Sequence, residues 1–143
     1  MVASQHNFHE VSIALADAPG FTLRMVTKIN LQQQLETIHA YWQPRIVGEL
    51  NGQHVKLVKF QGEFPWHHHA EEDEMFLVIR GTFRMDLPGE TIELSQGEFL
   101  IVPKGTEHRP VALEEVEVML FEPASTRNTG NLVNSFTFDP VKK

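Results

Sequence analysis

Apolar and polar residues alternate along most of the chain after Arg45, and this two-residue period predicts β-strands rather than helices. Turn residues divide the alternating stretches: Asn51-Gly52 is a strong β-hairpin signal, and Pro88-Gly89 suits a type II turn. Short strands with a turn about every 8–12 residues predict a sandwich or barrel. The predicted strands cover residues 46–50, 54–60, 75–79, 83–87, 91–94, 99–102 and 116–121.

One helix is predicted before the strands, over residues 30–41. Apolar residues, among them Leu35 and Ile38, recur there at helical spacing. Asn30 can cap the first turn, and Pro44 ends the helix. The fold class is therefore predicted to be all-β with one short N-terminal helix.

The first 24 residues show little periodicity, apart from an alternating stretch at 11–15 that predicts a short strand. We interpret residues 1–24 as an N-terminal extension or arm, either disordered or forming an edge strand or a strand swapped within a dimer. The remaining residues, 25–143, are long enough for a single domain with a real core. After Pro123 the chain looks loop-like at 125–131, and residues 135–138 alternate as a late strand or a flap would.

The composition narrows the classes of function. A net charge of −7 without a basic cluster argues against nucleic acid and anionic membrane surfaces as partners. The chain has no cysteine, which excludes disulfides, thiolate catalysis and cysteine-based zinc sites. No apolar run approaches the roughly 18 residues of a membrane span, and the first 20 residues lack the pattern of a leader. We expect a cytoplasmic protein.

The candidate chemistry lies in the stretch GEFPWHHHAEEDEMFLVIRG, residues 62–81. His67 and His69 are two residues apart on a predicted strand, so both side chains point to one face. Glu74 follows and opens an apolar strand, and His108 lies downstream as a fourth candidate. Two imidazoles and a carboxylate are costly to bury together unless a divalent metal compensates, and these groups are good ligands for first-row ions.

Other interpretations remain for individual residues. His67 and His69 also fit a solvated strand end, and the acidic run around Glu74 alone would suit a solvated loop. Asp73 is the alternative carboxylate ligand. His68 is expected to face away from its two neighbours and to lie at the surface or behind the site.

Two spaced blocks resemble the paired signature motifs of the cupin superfamily, whose members are double-sheet jelly rolls. The resemblance covers about residues 45–122. The glycine before the first histidine stands one residue closer than is common, and Ala112 takes the place of a common asparagine. The first block reads Gly62-x4-His67-x-His69-x4-Glu74-x6-Gly81 and the second Gly97-x5-Pro103-x-Gly105-x2-His108.

This resemblance implies a jelly-roll barrel, also called a double-stranded β-helix, that holds one metal ion inside. The implied ligands are His67, His69, Glu74 and His108, with one or two positions left open for water, substrate or dioxygen. Iron, manganese, nickel, cobalt and zinc all suit three imidazoles and a carboxylate. The resemblance also implies a homodimer formed by sheet extension.

A largely apolar pocket is expected around the metal, which favours a small substrate with an apolar body and one chelating end. Lys56 and Arg84 would bind an anionic substrate if they faced inward, although such residues more often lie on the outer face. The candidate pocket residues are Trp66, Phe76, Val78, Pro110 and Ala112; for Phe76 and Val78, ordinary barrel filling explains the residues equally well.

Three hypotheses of function follow. The first is a metal-dependent enzyme on a small molecule, with dioxygenase-like chemistry slightly favoured over isomerisation or decarboxylation. A sugar or sugar-phosphate isomerase is a variant of this hypothesis, disfavoured because no phosphate cradle is evident. The second is a non-catalytic module that senses a metal or metabolite, and the third is a structural barrel with an empty site. The sequence identifies no catalytic residue.

Overall fold

The computed structural model describes residues 25–142. The chain divides into two compact units, residues 1–30 and 31–143, and all helices and strands of the described part lie in the second. These elements are α1 (Leu31–Glu36), β1 (Arg45–Leu50), β2 (Gln53–Glu63), β3 (Glu74–Arg80), β4 (Thr82–Leu87), β5 (Glu90–Ser95), β6 (Phe99–Val102), β7 (Arg109–Pro123) and β8 (Val141–Lys142).

The 15-residue strand β7 organises the sheet. Its first part pairs with β4 and with the end of β2, and its second part pairs with β3 and the rest of β2. The hydrogen-bonded order is β5-β4-β7-β2-β1-β8, while β3 bridges β7 and β6. All pairs are antiparallel except β1 with β8. The predicted all-β barrel with one short helix is confirmed.

The core lies inside this barrel, because alternate residues of each strand face inward as the two-residue period predicts. On β3, for example, Phe76 and Val78 are buried, whereas Met75 and Leu77 between them are partly exposed. The buried apolar cluster contains Val58, Phe60, Phe76, Val78, Phe83, Met85, Leu94, Val102, Ala112, Val116, Val118 and Leu120.

The hairpin signal at Asn51-Gly52 is confirmed. The two residues join β1 to β2 and have φ values of 50° and 74°. A two-residue turn of type I′ requires positive φ at both central positions, and asparagine followed by glycine meets that requirement with little strain.

The helix is shorter than predicted, because α1 ends at Glu36. The next turn tightens: the amide of Thr37 bonds to the carbonyl of Gln34, three residues back, and the Thr37 hydroxyl bonds to the same carbonyl. Trp42 has a φ of 62° and donates its amide to the carbonyl of Lys59 on β2. Tertiary contacts with the barrel thus override helical spacing in this stretch.

The segment after β7, residues 124–138, is called here the C-terminal strap. Residues 135–138 do not form the late strand that their alternation suggested: a turn closes between Asn134 and Thr137, and β8 follows only at Val141. Asn128 holds the strap together, because its amide group bonds to both the Phe136 carbonyl and the Phe138 amide. Alternation over four residues was too short a signal to outweigh these local bonds.

The predicted strand at 11–15 and the arm at 1–24 lie outside the described residues. The homodimer stays a prediction. Within the part of the chain that the structure describes, no helix is long and apolar enough to cross a membrane.

Candidate metal centre

Two loops bring the histidines together. His67 and His108 form an isolated antiparallel bridge, in which each donates its amide to the other's carbonyl at 3.1 and 2.9 Å. The turn before His108 is fixed to the first loop, because the Gly105 amide bonds to the His69 carbonyl at 2.7 Å and the Lys104 amide bonds to Asp73 Oδ1 at 2.8 Å. The glycine turn and the histidine loop therefore position each other.

The four predicted ligands converge. One donor atom from each of His67, His69, Glu74 and His108 lies within 4.8 Å of the others, and all four residues are buried. The Glu74 carboxylate faces two of the histidines: Oε2 lies 3.6 Å from His69 Nε2, and Oε1 lies 3.5 Å from His108 Nε2. The ring centres of His67 and His108 are 4.2 Å apart.

The hydrogen bonds at the back of the rings determine which nitrogen is free. Nδ1 of His67 lies 2.9 Å from the Pro65 carbonyl, and Nδ1 of His108 lies 2.9 Å from the Thr106 carbonyl. A carbonyl only accepts, so each Nδ1 carries the proton and each Nε2 presents a lone pair. Nε2 of both His69 and His108 is buried without a hydrogen-bond partner among the described residues. Partnerless nitrogens around a carboxylate fit a metal ion.

The electrostatics keep the imidazoles neutral. Burial, followed by the neighbouring His108, lowers the pKa of His67 to about 3. Burial likewise lowers the pKa of His69 to about 4 and lowers that of His108. Burial raises the pKa of Glu74. Neutral imidazole is the form that coordinates a metal, so the site needs to release little more than the carboxyl proton on binding.

The depressed pKa of His67 predicts a pH dependence of folding in metal-free protein. Below pH 6.5 the unfolded chain takes up a proton at this residue that the folded protein refuses until about pH 3, so His67 lowers the free energy of unfolding as the pH falls. We expect His67→Gln to reduce the slope of that free energy between pH 6 and 4 by up to about 1.4 kcal/mol per pH unit. Urea unfolding in chelated buffer measures both slopes; parallel curves would contradict the prediction.

Sequence reasoning missed a second carboxylate. Glu122 ends the inward-facing row of β7 and is only 1% exposed, and burial together with Glu74 raises its pKa well above the ordinary value. Lys56 faces inward at 2% exposure and donates to Glu122 Oε1 at 2.8 Å. Lys56 therefore does not take the outward orientation that is more common for lysine on a strand, and its charge is already paired with Glu122. The sequence carried one signal for these two residues: the two-residue period of β2 and β7 puts both on the inward face of the sheet.

An apolar cavity of about 40 Å³ adjoins the centre. His67 and Glu74 form its polar end, and Asn128 of the C-terminal strap also lines it. The aromatic walls stack on one another: Trp42 lies 4.5 Å from Phe60 between ring centres. The remaining lining residues are Pro44, Val58, Phe64, Phe76, Pro110 and Leu120.

Two of the five predicted pocket residues, Phe76 and Pro110, line this cavity. Val78 and Ala112 belong to the barrel core instead. Trp66 is 41% exposed and lies over Arg109, in a surface depression outside the barrel. Neighbours in an extended segment point to opposite faces, so the ligand at His67 turns Trp66 outward.

The other residues weighed as alternatives lie outside the centre. Asp73 accepts the Lys104 amide, which leaves Glu74 as the carboxylate of the cluster. His68 points away, with Nδ1 at 2.6 Å from Glu107 Oε1. Arg84 is partly exposed and pairs with Asp86 at 3.0 Å, so it does not enter the cavity.

Comparison with known proteins identifies the family. The Cupin domain family matches residues 54–122. A crystal structure of a cupin-2 domain containing protein from Shewanella frigidimarina is 42% identical, with a TM-score of 0.66, over 66% of this chain and 93% of that chain. The chain belongs to the cupin superfamily. A Neisseria meningitidis protein of known structure matches this cupin at 33% identity and a TM-score of 0.64, over 68% of this chain and 100% of its own.

One curated relative is the uncharacterised protein YdbB of Bacillus subtilis. It is 42% identical over 64 residues, which are 44% of this cupin and 57% of YdbB. An uncharacterised Aquifex aeolicus protein matches over 50% of its length. The chain thus spans about half the length of the curated relatives it matches.

Proposed function

We propose that this cupin binds one divalent transition-metal ion through His67, His69, Glu74 and His108, and uses it to transform a small molecule held in the adjoining cavity. One observation carries the proposal. Buried Nε2 atoms of His69 and His108 face the two oxygens of Glu74 without a hydrogen-bond partner among the described residues, beside an apolar cavity. A purely structural core would not retain such groups unsatisfied.

The donor set suits iron(II), manganese, cobalt, nickel or zinc. Four protein ligands leave one or two positions open on a five- or six-coordinate ion, as a catalytic site requires. His67 and Glu74 line the cavity, so an open position on that side would face the substrate. The backbone bonds of Nδ1 in His67 and His108 hold both rings in a coordinating orientation.

The cavity favours a small substrate with an apolar body and one chelating end. Its walls are mostly aromatic and aliphatic, so they would contact the apolar body, with the chelating end toward His67 and Glu74. A volume of about 40 Å³ holds a few water molecules or a diatomic gas. A larger substrate therefore requires the strap residue Asn128 or the Phe64–Phe136 contact, 5.3 Å between ring centres, to move aside.

Dioxygen chemistry is the reaction class that we favour. A ferrous ion held by histidine and carboxylate supplies dioxygen activation when bound, and a small apolar cavity suits that gas. Among the described residues no lysine or arginine lines the cavity, which disfavours a sugar phosphate as the substrate. The side chains would orient the chelating end at His67 and Glu74 and pack the body against Phe60 and Phe76.

Oxygen uptake tests this proposal. Protein purified and loaded anaerobically with iron(II) is mixed with small thiols, diketones and catechols in aerated buffer, and a His108→Ala variant treated identically is the control. We expect uptake that needs both the substrate and His108. No uptake with any of these classes, together with tight zinc occupancy, would contradict dioxygen chemistry. A stoichiometric metabolite that co-purifies and stays unchanged would identify a non-catalytic sensor instead.

A further inference from the structure

We infer that Lys56 and Glu122 are a positioning pair that holds the Glu74 carboxylate toward the histidines and strengthens metal binding. This inference rests on the proposed function, because it concerns the same centre. Neither residue belongs to the cluster of four converging ligands.

The strand register places the pair beside the centre. Met75 on β3 stands opposite Phe121 on β7, so Glu74 and Glu122, one position further along each strand, are lateral neighbours. Lys56 on β2 stands opposite Leu120, which makes Glu122 its diagonal neighbour on the same inward face. All three side chains therefore project into one end of the barrel.

The contacts are asymmetric. Lys56 Nζ binds Glu122 Oε1 at 2.8 Å, while Oε2 of Glu122 is buried and has no hydrogen-bond partner among the described residues. The register places the Glu74 side chain next to that of Glu122, and after burial this proximity is the next cause of the raised pKa of Glu122. One oxygen of Glu122 is thus bonded to Lys56 on β2. The other accepts no hydrogen bond from the described residues.

Packing alone does not explain this pair. A buried ion pair pays a large desolvation cost, and apolar residues of similar volume often give equal or higher stability. The neighbouring inward residues, Val58 and Leu120, show that the same strands fill the barrel with apolar side chains. When a divalent cation is bound, both carboxyl groups would be ionised, and the cation would compensate the one negative charge that Lys56 leaves in excess among the neutral imidazoles.

The arrangement also orients Glu74. Glu122, fixed beside it on β7, occupies one side of Glu74, and the Glu74 oxygens lie on the other side, 3.5 and 3.6 Å from Nε2 of His108 and His69. With a cation bound, the charge of Glu122 would also repel the Glu74 oxygens toward the histidines. Lys56 keeps Glu122 at its own position, so Glu122 supports the ligand without replacing it. Groups that orient a metal ligand in this way typically contribute 10–100-fold to affinity.

Metal affinity of the full chain tests the pair, with zinc(II) and cobalt(II) as probes in competition with a chelator. We expect Glu122→Gln, which keeps the shape and removes the charge, to weaken binding about 10–100-fold and to shift the visible bands of the cobalt protein. The double variant Lys56→Met/Glu122→Leu should fold at least as stably as wild type without metal, and should show the same loss of affinity. Glu117→Gln, the same change on the outward face of β7, is the matched control.

The outcomes are distinct. Wild-type affinity and an unchanged cobalt spectrum in the double variant would overturn the inference and leave the pair a packing element. Wild-type protein that binds neither zinc nor cobalt would instead overturn the proposed function itself. Equal losses in Glu117→Gln and Glu122→Gln would also contradict the inference, because the effect would then be one of overall charge.

Discussion

Alanine at position 108 is expected to abolish stoichiometric metal binding. His108 contributes a buried Nε2 without a hydrogen-bond partner among the described residues, and this atom lies opposite Glu74 Oε1 at 3.5 Å. Its removal takes away one of the four donor atoms, and a water molecule in the space left behind would be a weaker ligand than imidazole. We expect affinity to fall more than about 100-fold, beyond the loss typical of supporting groups. Elemental analysis of freshly purified protein, followed by zinc titration, measures the result.

The variant His68→Ala provides a matched control for His108→Ala. His68 lies between two ligands in sequence, yet its side chain points outward to Glu107. His68→Ala should therefore retain about one metal per chain. Loss of metal from His68→Ala but not from His108→Ala would reverse the assignment, and equal retention by both variants would show that the four donors do not form one centre.

Substitution of Gly130 by alanine is expected to detach the C-terminal strap. A Cβ at this position would collide with the His68 carbonyl oxygen and lie 2.8 Å from the carbonyl carbon, so the obstacle is backbone and cannot rotate away. The strap is also fixed there by two bonds, since Asn131 Oδ1 accepts the His68 amide and the Asn131 amide donates to the His68 carbonyl. We expect a loss of about 3 kcal/mol, or local release of the strap if that costs less.

Hydrogen exchange distinguishes these responses from each other. Released strap amides, including that of Asn131, should exchange far faster in Gly130→Ala than in wild type, and unfolding measurements give the global loss. Gly89→Ala is the control, because Gly89 also has a positive φ, 73°, but a Cβ there meets nothing within 4 Å. It should show only the strain of the backbone conformation, about 1–2 kcal/mol. Equal effects of the two substitutions would contradict a specific collision at Gly130.

The strands were predictable from the sequence because they depend on local signals, and the four converging residues were predictable because two spaced blocks resemble the cupin motifs. Alternation identifies which face of a strand is buried, and it places His67 and His69 on one side whatever the rest of the chain does. The hairpin at Asn51-Gly52 depends equally on nearest neighbours. The second motif added the remaining information, since its fixed turn determines where His108 returns to the barrel.

Apart from Phe76 and Pro110, the walls of the cavity were not predictable in this way. Trp42 and Asn128 come from segments before and after most of the barrel strands, and nothing local indicates that both line the same cavity as Phe64, beside His67 and Glu74. The bond from the Trp42 amide to the Lys59 carbonyl, in the stretch that was predicted to be helical or to end the helix, is likewise long-range. Lys56 and Glu122 stand on inward positions, but the pattern could not show that each charge has the other as its partner.

The strap has a consequence for how the protein is made. Asn131 binds both backbone groups of His68, which lies 63 positions earlier in the chain. Translation delivers the first three ligand residues long before Asn131 leaves the ribosome. The loop that carries two of those residues therefore gains its last backbone partner only after strands β1 to β7 have been synthesised, so we expect this loop to take its final form later than the barrel strands that surround it.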